Sequence, residues 1–175
     1  TPCNAPLGTP KMAADGSVTV TIPSDVEAYL DVTGADYIPL LAFLDHSVQA
    51  ENPVVYVIPT GVAGALAQNA GVVLDETKGI LLLRTADCTG NATAGASVSI
   101  FPTDKETRFY TIQNAVTADA VKTDTAGNAG FVNVTPGTVT ATGTIGPGGQ
   151  QYGSVQTLVR AGTVTAQILR PTPSL

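Results

Sequence analysis

The sequence is poor in charge, in aromatic residues, in cysteine and in histidine, and each shortage closes a class of function. Charged residues make up only 13 % of the 175 positions, against about 25 % in an ordinary soluble domain. The eight lysines and arginines are scattered singly and the net charge is −6. No basic face therefore exists to neutralise a phosphate backbone, and neither nucleic acid nor an anionic membrane is expected as a partner. No apolar run reaches 18 residues; the longest clusters, 38–44 and 80–83, are strand-sized, so no membrane insertion is expected. Tryptophan is absent, and five tyrosines and four phenylalanines leave the core to valine, isoleucine, leucine and alanine. The polar surface falls to threonine, serine, asparagine, glutamine and glycine, a balance that favours pleated, half-buried strands.

Only Cys3 and Cys88 are present. In an acidic, threonine-rich chain the pair suits one disulfide tying the amino-terminal tail to the body, the other reading being two unrelated thiols. So long a loop would contribute up to about 4–5 kcal/mol in the chain-entropy model. Two cysteines and one histidine make a poor structural zinc site, which wants four ligands in close pairs. The chain opens on Thr1 with no basic-then-apolar leader. A secreted protein relieved of its signal peptide begins this way, and so does a chain trimmed by other means. The expected localisation is extracellular or at the cell surface.

What is present is a succession of short strand patterns separated by turn residues. Three prolines mark the first ten residues as an extended lead-in. After Asp15-Gly16, the alternation of Val18, Val20 and Ile22 with threonine predicts a half-buried strand ended by Pro23. Further strands are expected over 28–32, 37–44 (buried on both faces) and 54–58, with 45–53 as loop. Ala63, Leu66, Ala67 and Ala70 recur at helical spacing. They predict one short helix near 60–70, with Thr60 as N-cap and Gly71 beyond its end. From Gly79 onward strands are expected over 80–85, 96–101, 108–113, 131–134, 138–144, 154–159 and 162–169. The last two are expected to form a hairpin around Arg160-Ala161-Gly162. So many short strands indicate an all-β antiparallel sandwich with an amino-terminal β extension.

Residues 79–170 carry a recognisable order of pieces. A strand at 80–85 is followed by a polar turn at 87–91 and by Gly95-Ala96-Ser97-Val98. Then come Thr123-Asp124-Thr125-Ala126-Gly127, Phe131 and Val134-Thr135-Pro136-Gly137, before another alternating strand. In this the segment resembles the carboxypeptidase regulatory-like domains, prealbumin-like Greek-key sandwiches of bacterial secreted proteins. The resemblance implies a domain at 79–175 and a 1–78 extension. The extension's strands could lengthen the sandwich, form a second small one or pair with another subunit. Asp124 is expected to satisfy turn amides, Gly127 to take a positive φ and Phe131 to anchor the core. Pro136-Gly137 is expected to reverse the chain so that the next strand pairs antiparallel. Residues 15–32 loosely echo 124–139, although alternating strands look alike and that plainer reading is preferred.

The search for chemistry yields little. Asp45, His46 and Ser47 are adjacent, whereas a catalytic triad is assembled from distant segments. No Gly-x-Ser-x-Gly elbow exists, and the single histidine excludes the histidine-rich enzymes of prealbumin-like fold. Gly146-Pro147-Gly148-Gly149 leads into a strand and lacks a lysine, so it is no phosphate cradle. Acidic loops (Asp15, Asp25, Glu27, Asp31 and Asp36; Asp119 and Asp124) would be the place for a calcium ion. No Asp-x-Asp-x-Asp-Gly run is present, so they are read as turn formers and no cofactor is expected. Asn91 and Asn133 match the N-glycan acceptor pattern, which a bacterial resemblance makes accidental. The expected function is a non-catalytic structural or adhesive surface protein, associating with itself in an oligomer or filament through strand 162–169 at a sheet edge. The alternative is a carbohydrate- or peptide-binding module that presents Tyr110 or Tyr152 in a groove.

Overall fold

The computed structural model describes residues 6–23, 26, 28–44 and 54–171. In chain order the elements are β1 (Ala28–Gly34), β2 (Tyr37–Leu44), α1 (Thr60–Asn69), β3 (Gly79–Thr85), β4 (Ser97–Phe101), β5 (Thr107–Ile112), β6 (Ala115–Thr117), β7 (Asn128–Val134), β8 (Gly137–Ile145), β9 (Gln150–Val159) and β10 (Val164–Leu169). They form a seven-stranded sheet, ordered β1-β2-β10-β3-β7-β5-β6, facing a three-stranded sheet, β4-β8-β9. The protein is an all-β sandwich, antiparallel except along β10.

Alternation along the strands builds two apolar layers. Leu81 and Leu83 of β3 and Phe131 of β7 point between the sheets, where they meet Val98, Ile100, Val139, Ala141, Tyr152 and Val159. Ile80 and Leu82 point the other way, toward α1 and the segment 54–58. The helix buries Ala63 and Ala67; alanine lets its backbone lie close to the sheet. Pro59, not Thr60, is the N-cap, and no side chain caps the helix. The Thr60 amide is already committed to the Asp36 carbonyl. Gly71 closes the helix at φ 80°.

Three expected strand features are corrected. Residues 18–22 form no strand: the alternation is there, but no described residue pairs with it. Residues 54–58 form no strand; among the described residues their backbone links to the sheet are the adjoining Tyr37–Pro59 bridge and an Ile38 amide donating to the Ile58 carbonyl. Residues 159–164 make no hairpin. Here β9 ends in the small sheet, the chain crosses over, and β10 enters the large sheet parallel to both β2 and β3. Far from lying at an edge, β10 is central, with Val164, Thr165 and Leu169 fully buried. Threonine misled the alternation because the Thr165 hydroxyl is satisfied internally, donating to the Leu158 carbonyl at 2.8 Å. Through β10 the pair β1–β2 continues the sheet that 79–169 begins.

Thr135-Pro136 is likewise a corner between sheets. The strand that follows Gly137 does pair antiparallel, but with β4 and β9 of the other sheet rather than with β7. Just before that corner, the β3–β7 register shifts between Gly79 and Leu81. Asn133 sits opposite the shift at φ 62°, the extra residue of a β-bulge. Its side chain accepts from the Asp75 amide and donates to the Val73 carbonyl, both at 2.9 Å, so this amide is tied to the loop that follows α1.

Candidate functional site

The turn motif converges on one end of the sandwich. Asp124 accepts from the Gln113 amide at 2.8 Å and from the Ala126 amide at 2.9 Å. Gly127, at φ 70°, delivers its carbonyl to the Thr85 amide. Thr85 is fully buried, and its hydroxyl donates to the Thr93 carbonyl at 2.7 Å. Gly95, at φ 79°, donates to the Thr123 carbonyl, and the Thr123 hydroxyl accepts from Ala96. The Tyr152 hydroxyl reaches into the same junction, donating to the Ala86 carbonyl and lying 3.1 Å from the Thr93 hydroxyl. Phe131 lies in the inter-sheet core, while Pro136 and Gly137 are exposed at the corner. The constellation locks β3, β7 and the strand-linking loops together.

Asp87 is committed in the same way, accepting from the Thr89 hydroxyl and from the Thr89 and Asn91 amides; Cys88, between them, is exposed. Cys3, its expected partner, lies outside the described residues, as do Asp25, Glu27, Asp45, His46 and Ser47. Among the described residues, no three His, Cys, Asp or Glu side chains gather as a metal ion would require. No described helix is long and apolar enough to cross a membrane.

These hydrogen bonds favour the ionised carboxylates. Asp124 is held below the ordinary value of 3.8, chiefly by the Gln113 amide. Asp75, Asp87 and Asp104 are held low chiefly by the hydroxyls of Thr77, Thr89 and Thr135, and Asp15 by the Ser17 amide. A carboxylate whose pKa is depressed on folding adds stability that is complete above its unfolded value and disappears as pH falls through the folded one. Urea midpoints should therefore be insensitive to these groups from pH 5 to 8 and fall below about pH 4. In Asp124→Asn the acid-side decline should be shallower; an unchanged slope would remove Asp124 from this account.

Lys78, Asp104 and Thr135 close a surface triangle. Lys78 Nζ is 3.0 Å from Asp104 and 2.7 Å from the Thr135 hydroxyl, which donates to Asp104 at 2.8 Å. Beside it, Pro102, Asp104, Glu106 and Pro136 line a shallow dish of about 310 Å³. Its shape is too open to bury a small ligand. Nor do the expected binding aromatics serve: Tyr110 is 0 % and Tyr152 8 % exposed, both committed to the core. That corrects the expectation of a tyrosine-lined groove. Tyr110 instead accepts from the Val98 amide at 3.1 Å, with the Arg108 guanidinium 5.5 Å from its ring centre.

The sheet edges differ sharply. On β4, the Val98 carbonyl accepts from Arg108 and its amide donates to Tyr110, while neighbouring Ala96 bonds to Thr123. On β9, Leu158 is met by Thr165, and Gly153 lies against the Arg170 carbonyl. β6 is only three residues long. β1 is the exception. Six of its seven residues pair with β2 on one side, and among the described residues no backbone hydrogen bond reaches the other side. The side chains of Asp31 and Tyr29 on β1 are held by Arg160, which sits 2.6 Å from Asp31 and 3.2 Å from the Tyr29 hydroxyl. Sequence reasoning missed this edge, because which strand lies outermost depends on long-range pairing.

No family model matches the chain, and no curated protein matches it. Among solved structures it is similar to a streptococcal ancillary pilin at 12 % identity and a TM-score of 0.35. The match covers 81 % of this chain and 43 % of that one, so the chain spans less than half the pilin's length.

Proposed function

We propose that this chain is a non-catalytic extracellular structural or adhesive protein that associates with itself as a subunit of a surface assembly or filament. The observation that carries the reading is the uneven treatment of sheet edges. Unpaired edges are templates for other chains, and proteins that must stay apart blunt them. Here β4 is met by side chains at Val98, β9 is met by the Thr165 hydroxyl at Leu158 and crowded by the Arg170 carbonyl at Gly153, and β6 is short, whereas no described residue bonds to the outer backbone of β1. A Cys3–Cys88 disulfide would belong to such an extracellular protein. Sedimentation velocity across a hundredfold concentration range, with negative-stain microscopy at the upper end, tests the proposal. The sedimentation coefficient should rise with concentration and regular oligomers should appear. A single monomeric boundary throughout would overturn it.

A further inference from the structure

Residues 6–23 contribute nothing to either core layer. They fold at one turn, where the Ala13 amide donates to the Ser17 carbonyl and the Ser17 amide to Asp15; residues 7–10 and 19–21 then lie across an open hollow from each other, and Ile22 is half-buried. Leu7, Met12, Val18 and Val20 are all exposed. Yet Ser17-Val18-Thr19-Val20-Thr21-Ile22 is as clean a period-two strand pattern as any in the chain, without a charge from Gly16 to Pro23. A segment with strand propensity and an apolar row, but no sheet, is incomplete by itself.

The outer edge of β1, to which no described residue bonds, supplies what the segment lacks. Leu30 and Val32 of β1 belong to the rim of the helix-side core and are only half-buried. A strand added outside β1 with β-branched side chains at every second position would continue that apolar row. Val18, Val20 and Ile22 are such a row. Five residues at about 3.3 Å each also fit along the seven of β1. The arm does not pair with the β1 of its own chain in this structure. We propose that residues 18–22 of one copy add as an outer strand to β1 of a second copy, β-augmentation between identical chains. Each molecule then carries one donor arm and one acceptor edge, a head-to-tail arrangement that propagates unless it closes into a ring. This inference rests on the proposed self-association and names its interface.

The test uses the full chain and its Val20→Pro variant. Proline removes an amide from a strand that must pair, at a position exposed in the free chain, so the melting temperature at low concentration should not change. Association should weaken by roughly tenfold or more. Hydrogen–deuterium exchange should show residues 18–22 and 28–34 becoming protected together as wild-type concentration rises, and neither doing so in the variant. If the wild type associates with protection elsewhere, or the variant associates equally well, this interface is wrong while self-association stands. If both segments are protected at every concentration in a monomer, the arm folds back on its own β1 and the second copy is excluded. A wild type that neither associates nor gains protection overturns both proposals.

Discussion

A chain ending at Gly162 should not fold. Such a truncation removes β10, whose Val164 and Leu169 are fully buried and whose backbone is paired from Leu40 to Ala42 on one side and from Ile80 to Thr85 on the other. Burying each large aliphatic side chain is worth about 1.5–3 kcal/mol. Losing both, with two rows of ladder hydrogen bonds, takes a large part of the 5–15 kcal/mol that typically separates folded from unfolded. It also leaves β2 and β3 facing each other across an empty slot. Circular dichroism of the truncated chain should show no cooperative melting transition. A cooperative transition within a few degrees of the full-length protein would mean that β10 is dispensable and that its central placement is wrong.

The second large effect is expected at Gly127, and Gly95 is its control. Both glycines adopt positive φ, 70° and 79°, so alanine at either should cost about 1 kcal/mol in backbone conformation. Their surroundings differ. A Cβ on Gly95 would meet nothing within 4 Å, whereas one on Gly127 would lie 2.6 Å from the Thr85 carbonyl oxygen and 3.2 Å from the Thr93 amide. Those are backbone atoms in the junction that holds β3 to β7, and they cannot swing aside as a side-chain end would. Overpacking adds about 1–3 kcal/mol, giving roughly 2–4 kcal/mol in all for Gly127→Ala against about 1 for Gly95→Ala. Urea denaturation of the two variants decides it. Equal losses would show that conformation alone matters and that the junction yields.

What the sequence disclosed and what it hid follow from the range of the interactions involved. The strands from 79 onward and the helix at 60–69 were legible because their signals are local: alternation, alanine spacing, and glycine or proline at the breaks. The small strand β6 was not. It returns from β5 through Gln113 and Asn114, both at positive φ (49° and 66°), where glycine usually announces such a turn. Asp124, eleven residues away, steadies that turn through the Gln113 amide, a role no local pattern reveals. The placement of β10 was hidden for the same reason. Strand 162–169 read as an edge because threonine alternates along it, and only the Leu158 carbonyl across the sandwich makes the buried Thr165 acceptable. For the candidate interface, the arm's alternation was readable, but its lack of a partner and the open edge of β1 were not. Pairing is a property of the whole sheet.

The central position of β10 also governs the order in which the molecule can be completed. Strands β1 and β2 are the earliest in sequence, yet their link to the rest of the sheet waits for residues 164–169. A nascent or translocating chain can form the β1–β2 hairpin and the antiparallel β3–β7 pairing early, but the two parts cannot join until Leu169 has emerged. Such a distant closure makes folding slow and leaves two bare strand margins exposed meanwhile. A chain that must pass through a narrow channel before it folds gains from that delay, and one made at high concentration would depend on a chaperone to guard those margins.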